Sequence, residues 1–178
     1  NRRLHVTLGW LLLAGMLLFS ATGLTWSQWA GGNVDKLRAS LNWLTPQVNT
    51  RLNGGPAAAD PHAEHRAGHA GMLMSSADLT RYDDVLRLAR RSGISAAKVE
   101  IRPPKGAGYA WTVTEVDRRW PTRVDAVAID AQRMQVTDRT RFADFPLMAK
   151  LTRWGIDFHM GVLFGLPNQL LLIAFGLA

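Results

Sequence analysis

Two apolar runs frame the chain. Residues 4–26 and 158–178 contain no Asp, Glu, Lys or Arg. Each is close to the ~20 residues that cross roughly 30 Å of hydrocarbon as a helix. All 14 acids and all but two of the 21 bases lie between Ala30 and Asp157. The first run predicts a spanning helix over about Leu4 to Trp26. The second predicts one opening near Leu147, with Lys150, Arg153 and Asp157 in its first turns and a bend at Pro167.

Between the runs the pattern changes. Val34, Leu37, Leu41 and Leu44 recur at helical spacing, with Asn33 as N-cap and Pro46 as the stop, which predicts a short amphipathic helix. Residues 53–71 show no apolar periodicity and read as a linker. From Ser76 or Asp78 a capped helix presents Leu79, Tyr82, Val85, Leu86 and Ala89 on one face, and Gly93 marks its end. Three strands are predicted: Lys98–Arg102, stopped by Pro103-Pro104; Tyr109–Val116; and Arg123–Ile129. Asp138 to Phe145 reads as the return to the second apolar run.

The expected fold class is a membrane α-helical protein with an α+β insert: two or more transmembrane helices flanking a small helix-on-antiparallel-sheet domain. The expected divisions are a first transmembrane helix over 1–29, an amphipathic helix and flexible histidine-bearing linker over 30–75, the α+β domain over 76–146, and a second transmembrane helix over 147–178. A cleaved signal peptide is the competing reading of residues 1–29, but the apolar run exceeds an ordinary h-region. The chain starts at Asn1 and stops within an apolar run, so a longer protein with further helices is expected.

Charge orients this arrangement. Arg2 and Arg3 precede the first span and put the N-terminus in the cytoplasm, because short basic flanks are retained there. The net charge is +7 and the large loop is itself basic, but long loops translocate largely regardless of charge. The central domain is then periplasmic in a bacterium, where nucleic acid is not an expected partner. Trp26 and Trp29 suit an interfacial aromatic belt. With no cysteine, disulfides and covalent attachment of haem are excluded.

Candidate chemistry lies in the histidines. His5 and His159 each stand at the edge of an apolar run, where ionisable groups are costly and tend to be functional. Neutral imidazole is a common axial ligand of haem iron. At about 100° per residue, Gly9, Leu12, Met16, Phe19 and Gly23 fall within roughly 40° of the His5 direction. Gly9 leaves room for a flat macrocycle or a neighbouring helix. Gly161 and Gly165 have the small-xxx-small spacing of close helix packing. Roughly 25 to 30 Å along the membrane normal separates the two imidazoles, so either they serve two haems, one per leaflet, or at least one is structural. The bland alternative is that both snorkel to headgroups. His62, His65 and His69 have metal-ligand spacing but sit in the linker, where a flexible loop is the simpler reading. Arg118-Arg119-Trp120-Pro121-Thr122-Arg123 reads as a solvated basic turn.

Arg3-Leu-His-Val-Thr-Leu-Gly9, Thr22-Gly-Leu-Thr-Trp-Ser27, Gly31-Gly-Asn-Val34 and Trp154-Gly-Ile-Asp-Phe-His-Met-Gly161 resemble the PepSY-associated transmembrane family, and Ser76 to about Asp130 resembles its periplasmic PepSY domain. The resemblance implies a bacterial inner-membrane protein linked to iron uptake, similar to di-haem reductases of ferric siderophores. It implies two b-type haems, with His5 and His159 as axial ligands and Gly9, Met16 and Gly161 lining their pockets. Electrons would come from a cytoplasmic or quinone donor. PepSY domains elsewhere resemble inhibitory or regulatory modules, which implies the alternative of a non-enzymatic membrane-anchored module binding a partner protein.

Overall fold

A computed structural model describes residues 2–24, 27, 30–52 and 76–177. Trp26, Trp29, His62, His65 and His69 lie outside the described residues. The chain forms two compact units, one from residues 1–44 and 146–178, the other from 45–145.

The first unit is helical. Helix α1 runs Arg2–Leu24. It is the one helix among the described residues long and apolar enough to cross a bilayer. Its apolar side chains point outward almost all round, as Leu4, Leu8, Leu11, Met16 and Leu17 do. Surface of this kind needs lipid or further helices to cover it. Helix α2 spans Gly31–Ser40 and starts two residues before the expected Asn33 cap. Ser27 Oγ accepts the Ala30 N–H at 3.0 Å just ahead of it. Asn42, at φ 55°, turns the chain out of the helix before Pro46 is reached. A short polar side chain tolerates that left-handed backbone.

The second apolar run is not one helix. Helix α4 covers Leu147–His159 and α5 covers Leu166–Leu177, the latter apolar but shorter than a span. The expected continuous span over 147–178 is therefore corrected to two helices with a break at 160–165. The break lies at Gly161 (φ +70°) and Gly165 (φ +63°), not at Pro167. Positive φ is accessible to glycine because it has no Cβ. Pro167 occupies the first turn of α5, where its missing N–H is no loss.

The second unit is a helix on a four-stranded antiparallel meander, β1 (Val99–Arg102), β2 (Trp111–Glu115), β3 (Ala126–Asp130) and β4 (Gln135–Thr140), each paired with its chain neighbour. Trp111 stands opposite Ile129 and Val113 opposite Val127. Helix α3 (Ser76–Arg91) lays Val85 and Ala89 on that face, with Ile94 closing the core just beyond Gly93. Gly93 has φ +99°, the expected left-handed helix end. Burying each large aliphatic here contributes about 1.5–3 kcal/mol. Strand β4 was not expected; it replaces the simple return from Asp138 to the membrane run.

Residues 45–52 join this unit out of sequence order. Ala110 N–H donates to Thr50 O at 2.6 Å, and Leu52 N–H to Gly108 O at 2.9 Å. Asn49 N–H donates to Asp138 Oδ2 at 2.5 Å.

Candidate functional site

His159 is the last residue of α4 and its ring is exposed. It lies against Phe19 of α1, with ring centroids 4.8 Å apart and planes inclined by 58°. Beside it is an almost wholly apolar cleft of about 40 Å³ lined by Leu18, Phe19, Gly155, Phe158 and His159. The cleft exists because residue 155, one turn before His159, has no side chain; a Cβ there would meet nothing within 4 Å.

His5 occupies the other end of α1 and is also exposed. Fourteen residues separate it from Phe19, which is ~21 Å of helix at 1.5 Å per residue. The two imidazoles therefore belong to opposite ends of α1. Gly9 stands one turn from His5, again with open space where a Cβ would be. Met16 is exposed rather than packed within the unit. Gly161 is buried in the α4–α5 break, where a Cβ would stand 3.3 Å from Gln169 Cγ and Leu172 Cδ1. The small-xxx-small reading of Gly161 and Gly165 is corrected accordingly, since neither lies within a helix face. The close helix approach is made by Gly15 instead. Phe175 of α5 fills its missing side chain, with a Cβ there falling 2.5 Å from the ring.

One polar arrangement escaped sequence reading. Asp157 is fully buried and pairs with Arg153, whose Nε is 3.3 Å from Asp157 Oδ2; the Arg153 side chain is 13% exposed. The Asp157 carbonyl accepts N–H bonds from Val162 at 2.8 Å and Leu163 at 3.0 Å. Buried Asn168 donates from Nδ2 to Phe158 O at 3.0 Å. The helix-end carbonyls of the two residues before His159 are thus satisfied by the break and by α5. The opposite charges at i and i+4 were the available signal.

Among the described residues no three His, Cys, Asp or Glu side chains gather as a metal site. For haem, the donor chemistry fits: an accessible imidazole and a glycine one turn away occur at both ends of α1, and at His159 the surround is apolar. The residues present form one wall of such a site. The cleft beside His159 is far smaller than the ~300–1,000 Å³ of ordinary cofactor pockets, so the remaining walls would come from elsewhere.

A second cleft lies in the sheet unit. It measures about 400 Å³, is open on one side, and is lined by residues including Arg81, Tyr109, Trp111, Asp130 and Arg133.

No curated protein and no solved structure matches this chain. The family described as the PepSY-associated TM region matches residues 1–178. The chain belongs to that family of membrane-associated PepSY proteins.

Proposed function

We propose that this protein is an inner-membrane, b-type haem oxidoreductase that passes electrons across the bilayer to a ferric siderophore in the periplasm. The observation that carries this reading is the placement of two exposed imidazoles at opposite ends of one membrane-length helix, each beside an open glycine position. In this reading α1 crosses the bilayer with its N-terminus in the cytoplasm, and the α4–α5 pair enters beside it. The sheet unit stands in the periplasm.

His5 and His159 would each hold one haem through a ring nitrogen. Bound haem supplies reversible one-electron chemistry, which the protein itself lacks. The Phe19 ring limits how the His159 imidazole can turn, and the apolar walls of Leu18 and Phe158 keep water from that side. Exclusion of water lowers the local dielectric and so affects the stability of each charge state. Electrons would enter near His5, from a cytoplasmic or quinone donor, and leave near His159. One-electron transfer to ferric iron needs no acid–base pair.

The test is an absorption spectrum of the dithionite-reduced protein in its membrane. The expected result is a b-type Soret and α band, with haem content falling by about half in His5→Ala and in His159→Ala. A spectrum without haem bands ends the redox reading. Histidine variants that keep full function would favour the non-enzymatic, partner-binding alternative.

A further inference from the structure

We propose that the tip of the β2–β3 hairpin is a lipid-contacting anchor, in which Trp120 and the cations around it rest on the anionic headgroups of the bilayer. The placement of α4 and α5 in the membrane rests on the reading above; the exposed indole and the charge of the tip do not.

The hairpin continues past the sheet. Strand pairing ends with Thr114 opposite Ala126. Beyond it, Glu115 N–H donates to Asp125 O and Arg123 N–H to Asp117 O, each at 2.8 Å. The bridge between Asp117 and Arg123 closes the two arms, so residues 118–122 form the tip, with Trp120 in the middle. The Trp120 side chain is 57% exposed. An indole has a large apolar body and one N–H donor, which suits the boundary between hydrocarbon and headgroups better than open water.

The charge around the indole is positive. Arg119 and Arg123 are exposed on either side of it. Arg119 Nε stands 3.3 Å from Asp117 Oδ1, with the arginine side chain 71% exposed; so exposed a pair contributes little. Arg123 Nη1 donates to Ser95 Oγ at 3.1 Å. Val116 N–H donates to Lys98 O at 3.1 Å, which brings exposed Lys98 to the same end. The other acids there are already engaged. Buried Glu115 accepts the N–H groups of Ser95 and Ala96. Asp125 Oδ1 accepts the Phe142 N–H at 2.8 Å, and Asp144 pairs with Arg141 at 2.7 Å. Guanidinium groups bind phosphate oxygens well, and basic clusters are drawn to anionic leaflets.

Connectivity says what lies against this end. Val99 stands opposite Glu115, and Ala126 opposite Thr140. The hairpin therefore projects from the end of the sheet where β1 begins and β4 finishes. From Thr140 the chain passes through Phe142–Asp144 and enters α4 at Leu147. The tip thus shares its end of the sheet with the exit to the second apolar run. The chain belongs to a membrane family, so a bilayer is the surface present beside every copy. The opposite end of the sheet carries cations too, at Lys105 and Arg133, so charge alone does not choose between the ends. The exposed indole and the exit to α4 do.

The sequence contains no cysteine, so one introduced thiol carries a label at a single place. Full-length protein is labelled with a fluorophore at Thr122→Cys on the tip, Gln132→Cys on the β3–β4 turn or Ile173→Cys on α5, one site per sample. Each is placed in nanodiscs of phosphatidylcholine with or without phosphatidylglycerol. Lipids bearing a nitroxide near the headgroup or along the acyl chain quench a label that reaches them. With phosphatidylglycerol, quenching at residue 122 is expected to exceed that at residue 132 by about threefold. It should fall about twofold without the anionic lipid or in high salt. Trp120→Ala, and Lys98→Gln with Arg119→Gln, should each lower it by about twofold. All three side chains are exposed, and circular dichroism checks that the variants keep their fold. Equal quenching at residues 122 and 132, or quenching at 122 that is indifferent to lipid charge or to Trp120→Ala, overturns the proposal. Quenching at 173 without quenching at 122 also overturns it and leaves α5 in the bilayer. Quenching at 122 without quenching at 173 sinks that placement of α5 and leaves the hairpin contact standing.

Discussion

Phe19 and His159 lie ring to ring, 4.8 Å apart, although 140 residues of sequence separate them. The contact joins α1 to the end of α4 and sets the side from which the imidazole is approached. Phe19→Ala removes one wall of the cleft without removing the imidazole. If the protein carries the two haems proposed above, we expect both to be retained, with a shifted and broadened band for the one at His159 only. Absorption and low-temperature electron paramagnetic resonance spectra, compared with those of His5→Ala and His159→Ala, check this.

Gly15 and Phe175 form the tightest apolar approach in the helical unit. A Cβ on residue 15 would stand 2.5 Å from the Phe175 ring. Gly15→Val is expected to destabilise the unit by about 1–3 kcal/mol, the usual cost of overpacking. Adding Phe175→Ala should return part of that loss, since directly touching pairs show coupling of about 0.5–3 kcal/mol. Melting temperatures of the four proteins in one detergent give the coupling.

The Arg153–Asp157 pair predicts asymmetry between single and double variants. Removing either partner takes the ion-pair partner from a buried charge, at a cost of about 3–5 kcal/mol. Arg153→Met with Asp157→Leu should cost markedly less than either single change, because no charge is left behind. Thermal unfolding followed by the near-ultraviolet signal of the tryptophans measures it, and equal losses in all three variants would contradict the buried ion pair.

In the sheet unit, Glu115 tests a different polar device. Its buried carboxylate accepts the N–H groups of Ser95 at 2.6 Å and Ala96 at 2.8 Å, tying the α3–β1 connection to β2. Glu115→Ala orphans two donors, and a loss of about 1–3 kcal/mol per unsatisfied buried group is expected. Glu115→Gln keeps one acceptor oxygen and should cost less. Urea denaturation separates the two.

Much of this organisation could be read from the chain. Helix α1 is legible because charge is excluded from a run of the right length. Helix α3 is legible because Tyr82, Val85 and Ala89 repeat at helical spacing and Gly93 can take positive φ. The strands β1 to β3 announce themselves by β-branched alternation. Strand β4 does not: Gln135-Val-Thr-Asp-Arg-Thr140 contains one aliphatic residue, Val136, because it is a sheet edge with half its positions exposed. Charged and polar edges are how sheets avoid pairing with other chains. The α4–α5 break was misplaced for a different reason. Pro167 is the louder signal, yet proline in a first turn breaks nothing, whereas Gly161 and Gly165 do so only through backbone angles that sequence does not display.

Helical rise and a continuous second span put His5 and His159 roughly 25 to 30 Å apart; in the structure His159 lies against Phe19, about 21 Å along α1 from His5. The basic cleft could not follow from any local rule. It needs Arg81, Tyr109 and Arg133 to be brought together by a helix, a strand and a turn.

The hydrogen bond from Asn49 to Asp138 spans 89 residues of sequence. At the usual 5–20 residues per second of protein synthesis, residue 49 is made roughly 4 to 18 seconds before its partner. The meander needs no such delay, because each of its strands pairs with the one just made. Residues 45–52 can therefore be tied in two stages during biogenesis, Thr50 and Leu52 once residues 108–110 are made and Asn49 only with Asp138. In the interval the segment is held at one end while its Asn49 N–H still faces water.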